Sequence, residues 1–326
     1  MPLLVSRRSF AIGVLGVAAA PGVALAQGAY PDKPVRIIVP FGPGGLADIT
    51  TRVTGEKLGE LIGQQIVVLN QPGANGVTAA KAALAAPADG YTLCLLTNGT
   101  AIATALANTP AFDPIKEFVP VSSLGFFDFQ FLTAGGSPYP TLEAFIAAAK
   151  AAPGKLNIGT INVGSSQNLS ALLFKRLAGI DVTIVPFRTS PEVLTATIRG
   201  DVQVAVEGFA SAKGLLADKQ IRALASTGSK RSMSLPDVPT VKEAGVAGFE
   251  VDSWNAVFAP AGTPPAAIKL LNQRIVAALS DPAVKARIAD LGIEARGGPP
   301  EEIGKRLAED IAKWSEVIDK AGIVRQ

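Results

Sequence analysis

The chain has 326 residues, 48% of them hydrophobic and 17% charged, and 30 Lys and Arg stand against 27 Asp and Glu for a net charge of +3. It has no histidine and one cysteine, Cys94, which excludes Ser-His-Asp and Cys-His catalysis, histidine metal sites, an internal disulfide, a CxxC redox pair and a thiolate zinc site. The length suggests about two domains with a sizeable core, and the weak charge offers no basic stripe for nucleic acid.

In chain order, Ser6-Arg7-Arg8-Ser9-Phe10 precedes an apolar run from Ala11 to Ala24, which small residues end at Ala24-Leu25-Ala26. Two charges, a short apolar stretch and an Ala-x-Ala site predict a secretory signal cleaved after Ala26. The paired arginines resemble a twin-arginine signal, with an ordinary secretory signal as the alternative. The run is short for a bilayer, and no other segment approaches the roughly 18 apolar residues a span needs. Loss of residues 1–26 removes Arg7 and Arg8 and leaves a net charge of +1. The expected product is a soluble periplasmic protein, a monomer not embedded in the membrane.

Val35 to Val39 is a β-rich run ended by Pro40, and a helical pattern follows through Ile49, Val53, Leu58 and Leu61. Ile66 to Leu69 reads as a strand, Gly76 to Ala85 as a helix and Tyr91 to Leu96 as a strand, with Cys94 in its apolar core. The alternation restarts with helices at Leu142–Ala149, Leu169–Leu177 and Val193–Ile198, interleaved with strands at Leu156–Gly159, Val182–Val185, Val202–Val206 and Ile221–Ala225. Val257-Phe258 adds a strand, and Pro264 to Val324 is mostly helical. Strand–helix alternation of this kind predicts an α/β fold with largely parallel sheets.

In open α/β sheets, ligands bind beyond the carboxyl ends of the strands. The first such turn is Pro40-Phe41-Gly42-Pro43-Gly44-Gly45-Leu46-Ala47-Asp48. Its glycines admit close backbone approach, and the start of the next helix favours an anion. The alternative is a plain tight turn with Asp48 as a helix cap. The Walker lysine pattern is absent, so nucleotide hydrolysis is not supported. In the second block the corresponding turn is Gly159 to Asn168, where Ser165, Ser166 and Asn168 can donate side-chain hydrogen bonds. Asn98-Gly99-Thr100, Arg188-Thr189-Ser190 and Glu207-Gly208-Phe209 are read as loops at equivalent strand ends. Phe41, Phe187, Phe209 and Trp254 are candidate apolar walls, or core.

With these turns in hand, the sequence resembles the extracytoplasmic solute receptors of the tripartite tricarboxylate transporter family, also called Bug receptors, from Tyr30 to the carboxyl end. The matching pieces include Tyr30-Pro31-Asp32-Lys33-Pro34, Val39-Pro40-Phe41 with Pro43-Gly44-Gly45 and Asp48, Asn70-Gln71-Pro72-Gly73-Ala74 and Asp89-Gly90-Tyr91-Thr92-Leu93. Val185-Pro186-Phe187, Leu235 to Thr240, Glu243-Ala244-Gly245 and Ala259 to Pro264 follow. The resemblance implies a two-domain periplasmic-binding-protein fold, type II-like, with a mixed, mostly parallel sheet flanked by helices in each domain and a ligand cleft between them. Domain 1 would be 27–127 with 255–326 and domain 2 128–254, with crossings near Leu124–Gln130 and Phe249–Val257.

By the same resemblance the protein is a receptor that closes on a small carboxylate, amino acid or related organic acid and passes it to integral membrane transporter subunits, with no catalytic residue, metal or cofactor. The resemblance would have the ligand held by the turns Phe41 to Asp48 and Gly164 to Asn168; the candidate residues are Phe41, Gly44, Gly45 and Asp48 on one side and Gly164, Ser165, Ser166, Asn168, Arg188, Thr189 and Glu207 on the other, with Asn98 and Thr100 as further candidates. The sequence departs from the family pattern. Asn168 stands where the family often has histidine, Phe187-Arg188-Thr189 replaces Tyr-Lys-Gly, and Gly42 replaces a commoner proline or alanine. Glu207 puts a negative charge near the cleft, which an amine-bearing or uncharged ligand would suit better than citrate. Two other readings stay open: a ligand-sensing subunit for a membrane sensor kinase, and an enzyme using Glu207 and Asp48 as paired acids.

Overall fold

The computed structural model describes residues 30–73, 76–161, 163, 165–320 and 322–325. The export signal, Ala74 and Gly164 lie outside the described residues. The first block is β1 (Val35–Val39), α1 (Leu46–Ile62), β2 (Ile66–Asn70), α2 (Val77–Leu84), β3 (Thr92–Thr97) and α3 (Asn98–Leu106). β1 lies parallel to both β2 and β3. Its apolar residues are buried, while Arg36 points outward and donates to Thr92 Oγ1 at 2.8 Å. α1 stops at Gly63, whose φ of 67° is the left-handed conformation that closes helices.

β4 (Phe118–Ala134) is 17 residues long and belongs to both blocks. From Phe118 to Asp128 it runs antiparallel to β9 (Asp252–Pro260). From Phe129 onward it pairs antiparallel with β7 (Val204–Gly208) and β8 (Ile221–Ser226). The second block comprises α4 (Leu142–Ala151), β5 (Asn157–Ile161), α5 (Ser166–Ala178), β6 (Thr183–Phe187), α6 (Ser190–Arg199), β7, α7 (Phe209–Ala217) and β8. β5 lies parallel to β6 and β7. β9 returns to the first sheet against β3. α8 (Pro265–Ser280), α9 (Pro282–Ala289), β10 (Glu294–Ala295) and α10 (Pro300–Lys320) complete the chain. The strand order is β2-β1-β3-β9-β4-β7-β5-β6, with β8 and β10 also on β4.

One apolar cluster under the first sheet joins Val35, Ile37, Val39, Leu58 and Leu93 to Leu271, Ile275 and Ile288 of the tail helices. A larger one joins both blocks through Leu96, Phe131, Phe174, Phe249, Trp254 and Trp314. α10 packs on α3 and β4, and the fully buried Trp254 donates its indole N–H to Asp310 on that helix at 2.7 Å. Trp254 is therefore core and not a cleft wall. Cys94 is fully buried in β3, as its apolar surroundings predict, and burial pushes its thiol pKa up to about 12.

Two features differ from the sequence expectation, and the form of a third was not read from it. Asn98-Gly99-Thr100 is the first turn of α3 and not a loop, because a reciprocal capping box between Thr97 and Thr100 starts a helix there. The stretch Leu124–Gln130, read from the sequence only as a crossing, lies within one long strand, with irregularities at Pro120/Ser122 and Ser123/Gly125 that absorb the strand-breaking residues. Glu207 and Gly208 lie inside β7 and not after it, since the ladder with β4 continues to Gly208.

Candidate ligand-binding cleft

The carboxyl ends of β3 and β7 converge. Thr97 ends β3 opposite Asn255 of β9, and Gly208 ends β7 opposite Phe129 of β4. Both points adjoin the place where β4 leaves β9 for the second sheet. The loops and helix starts beyond these strands therefore line one cleft, the position at which open α/β sheets bind ligands.

The first wall is the turn after β1. Gly44 has a φ of 82°, which favours glycine. Its N–H donates to Asp48 Oδ2 at 2.9 Å. The other oxygen, Oδ1, accepts from Arg52 Nε at 2.9 Å and Asn70 Nδ2 at 2.8 Å. Asn70 also donates to the Phe41 carbonyl at 3.0 Å. Burial alone would raise the Asp48 pKa, but the hydrogen bonds from Arg52, Gly44 and Asn70 outweigh it and hold the carboxyl below the ordinary range. Asp48 is thus a brace for the glycine turn, with both oxygens engaged. α1 starts at an extended Gly45 with no side-chain cap, so its first N–H groups and positive dipole end remain for water or an anion. Phe41 is 44% exposed at the front of this turn.

The edge of the cleft is the start of α3. The Thr100 hydroxyl accepts the Thr97 N–H at 3.2 Å, so it serves the helix cap. Asn98 is wholly buried: its Oδ1 accepts the Trp314 indole N–H at 2.8 Å, and its Nδ2 donates to Ser166 Oγ of α5 at 3.1 Å.

The second wall is built from α5, α6 and β7. Ser165 caps α5 by accepting the Asn168 N–H at 3.1 Å and donates to the Ile161 carbonyl at 3.3 Å. Asn168 is buried and donates to Thr160 Oγ1 at 3.1 Å. Arg188 and Thr189 are exposed. Thr189 caps α6 by accepting the Glu192 N–H at 3.4 Å, and the Arg188 N–H donates to Glu192 Oε2 at 3.1 Å. Glu207 is 1% exposed, and its Oε2 accepts the Gly208 N–H at 3.2 Å. Burial pushes its pKa up to about 7, against the weaker pull of Ser190, Gly208 and Gln167. A Cβ on Gly208 would lie 3.6 Å from Leu46 Cδ1, so the end of β7 meets the start of α1.

The structure thus brings Gly45, Asn98, Ser166 and Glu207 to helix starts or strand ends around one cleft. It puts Arg188 and Thr189 on the exposed side of the second wall and gives Asp48 and Thr100 local work. Sequence reasoning missed three contributors. Asn70 braces Asp48, and its motif was visible without a role. Trp314 orients Asn98 from more than 200 residues away, and nothing local marks it. Leu46 approaches Gly208 across the two walls. Phe187 and Phe209 are half-buried, and Phe209 packs against Gly292.

A separate cavity of about 250 Å³ opens beside the crossing strands, lined among others by Phe126, Asp128, Lys230, Arg231, Asp252 and Arg306. It contains none of the residues of the glycine-rich turns. Among the described residues no helix is long and apolar enough to cross a membrane.

Comparison with known proteins agrees with this fold. Residues 50–323 match the tripartite tricarboxylate transporter family receptor profile. The protein BugT of Bordetella pertussis is 32% identical over 313 residues, covering 95% of this chain and 96% of that one. A UPF0065 protein from the tcbD-tcbE intergenic region of Pseudomonas sp. strain P51 is 32% identical over 291 residues, 89% of this chain and 87% of that one. Among solved structures, R. palustris Rpa4515 with adipate superposes with a TM-score of 0.81 at 33% identity, covering 90% of this chain and 99% of that one. MatC (Rpa3494) from Rhodopseudomonas palustris with bound malate gives 0.77 at 32%, covering 89% and 100%. The architecture is the two-domain periplasmic-binding-protein fold, and this chain belongs to the tripartite tricarboxylate transporter family of receptors.

Proposed function

We propose that the protein is an exported receptor that closes its two domains around a small carboxylate and hands it to integral membrane transporter subunits. The observation that carries this reading is the pair of helix starts facing one cleft. α1 begins at Gly45 without a side-chain cap, α5 begins at Ser165 and Ser166, and the Asn98–Ser166 bond draws the two walls together. Helix starts of this kind favour an anion without a buried lysine, which suits the low net charge. The similar structures that carry adipate and malate support the same ligand chemistry.

In this reading domain 1 is 27–127 with 255–326, domain 2 is 128–254, and β4 and β9 are the hinge strands about which the cleft closes. Export follows removal of residues 1–26. Phe41, Gly44 and Gly45 face the ligand from domain 1, and Ser165, Ser166 and Asn168 face it from domain 2. Arg188 and Thr189 guard the rim. The receptor performs no chemical step.

The test is a thermal-shift screen of residues 27–326, unfolded and refolded to strip any carried ligand, against mono-, di- and tricarboxylates, amino acids and their amides. Ligand at 100 times its Kd stabilises by about 2.7 kcal/mol, a rise on the order of 4 °C for a chain of this size. A shift confined to carboxylates is expected. No shift with any acid, from protein shown to refold, would reject the reading.

A further inference from the structure

Glu207 sits between two helix starts. Gln167 of the first turn of α5 and Ser190, the first residue of α6, both stabilise charge on its carboxylate. Its Oε2 has the Gly208 N–H, but among the described residues its Oε1 has no hydrogen-bond partner. Directly across the ladder stands Gln130 of β4, in register with Glu207 and fully buried. Paired residues of an antiparallel ladder present their side chains to the same face. The Gln130 amide turns its Nε2 to Asp128 Oδ1 at 3.2 Å, and its Oε1 is also unpartnered. Glu207 Oε1 and Gln130 Oε1 are thus buried acceptors without a partner among the described residues, and Ser226 of β8, in register with Gln130 on its other side, holds a buried hydroxyl that is likewise unpartnered; buried polar groups rarely stay unpaired.

The other charged groups on the elements packed around Glu207 are engaged or remote. Asp48 of α1 is held by Arg52, and Lys213 of α7 bonds Asp290. Glu192 of α6 accepts the Arg188 N–H, and the Arg188 side chain is exposed. Asp128 of β4 takes the Gln130 amide on Oδ1 and leaves Oδ2 unpartnered, and burial pushes its pKa up to about 6. Lys175 and Arg176 lie in the last turn of α5, and Arg199 in the last turn of α6. Among the described residues the carboxylate therefore has no cation of its own on these elements, and the start of α5, which favours its charge, is also one that an incoming anion would use.

We infer that the receptor takes up one proton on Glu207 as a carboxylate ligand enters the cleft. The neutral acid gives its hydrogen to Gln130 Oε1 and leaves the field of the α5 start to the ligand. The proton comes from solvent and returns to it when the ligand leaves; no other bond changes. This inference rests on the carboxylate-receptor reading. It also resolves the conflict between an acidic residue at the cleft and an acidic ligand, since like charges at one site raise the pKa of the group that can protonate. Burial has already brought Glu207 to a pKa of about 7.

The experiment is isothermal titration calorimetry of ligand-stripped 27–326 with malate, adipate and the wider carboxylate panel, in buffers of different ionisation enthalpy at pH 6, 7 and 8. For a site that titrates near 7 when empty and stays protonated when filled, uptake rises from about 0.1 proton at pH 6 to about 0.9 at pH 8, and affinity falls about fivefold between pH 7 and pH 8. Glu207→Gln, the neutral isostere, shows no uptake and a flat affinity over the same range. A carboxylate that binds the parent protein with no uptake at pH 8, or with proton release, overturns this inference and leaves the receptor reading standing. Failure of every carboxylate to bind overturns the receptor reading and this inference with it. The buffer dependence of the parent protein decides the matter even if the variant does not fold.

Discussion

Asn98 and Ser166 are 68 residues apart in sequence, and their side chains meet at 3.1 Å. Each is the first residue of its helix, α3 in one block and α5 in the other. The bond has a fixed sense: the Trp314 indole N–H occupies the Asn98 amide oxygen, so the amide nitrogen is the end that faces Ser166. A residue of the tail helix thereby decides how the two walls of the cleft are latched.

Removing either end of the latch has different consequences. Asn98→Ala strands the buried Trp314 N–H and costs about 1–3 kcal/mol of stability; the check is a urea titration. Ser166→Ala removes one hydrogen bond worth about 1 kcal/mol and leaves Trp314 paired. Its expected effect is on domain closure, read as a larger radius of gyration by X-ray scattering in the presence of ligand. A Ser166→Ala chain that scatters like its parent would reject the latch.

Gly45 separates folding from binding. Its backbone is extended at φ −81°, and a Cβ there meets only the Gly42 carbonyl, at 3.9 Å. Gly45→Leu should therefore fold, with a melting point within a few degrees of the parent, while its side chain covers the approach to the first N–H groups of α1. Carboxylate affinity should fall at least about tenfold, about 1.4 kcal/mol. Unchanged affinity would remove this turn from the site.

Asp48 has a folded pKa below the ordinary carboxylate value. Such a group contributes stability above its unfolded pKa and loses it as pH falls through the folded one. Asp48→Asn should cost about 2 kcal/mol at pH 7, in line with loss of charge-assisted hydrogen bonds, and the gap between variant and parent should shrink in acid. Urea midpoints at pH 7 and pH 3 give the comparison.

Glu207 has the opposite sign. Its pKa is raised by burial to about 7 from an ordinary 4.5, so the folded state binds the proton more tightly than the unfolded chain. The parent protein loses stability as pH rises through the interval between those values, and the loss is complete above it. Glu207→Gln removes the penalty, so the variant should match the parent near pH 4 and exceed it at pH 8 by up to about 3 kcal/mol. Equal stability at both pH values would show that Glu207 stays charged in the fold.

The elements that were legible are those whose signal is local. β1 and β2 are short apolar runs and α1 is a helical repeat of apolar residues closed by Gly63, and they fall where the pattern puts them. β4 is hidden because Pro120, Ser122, Ser123 and Gly125 read as breakers, and only the bulged pairing with β9 shows how a strand carries them. Gly125 is required there, since a Cβ would lie 2.5 Å from Ile293 Cγ2. α3 is hidden because Asn98-Gly99 disfavours a helix until the Thr97–Thr100 cap is seen. In the cleft, the glycine turn announced itself. The supports from Asn70 and Trp314 did not, because each is a long-range partner chosen by the fold. The end of β7 was misplaced at Val206 because apolar character stops there while the hydrogen-bond ladder does not.

The most direct test of the central claim is a crystal structure of refolded 27–326 with the tightest-binding carboxylate from the screen. The account predicts the ligand carboxylate at the start of α1, within hydrogen-bonding distance of the Gly45–Ala47 backbone N–H groups, and in contact with the Ser165–Asn168 turn across the cleft. A carboxylate seated instead in the cavity beside Asp128 and Asp252, with the glycine turn empty, would contradict it.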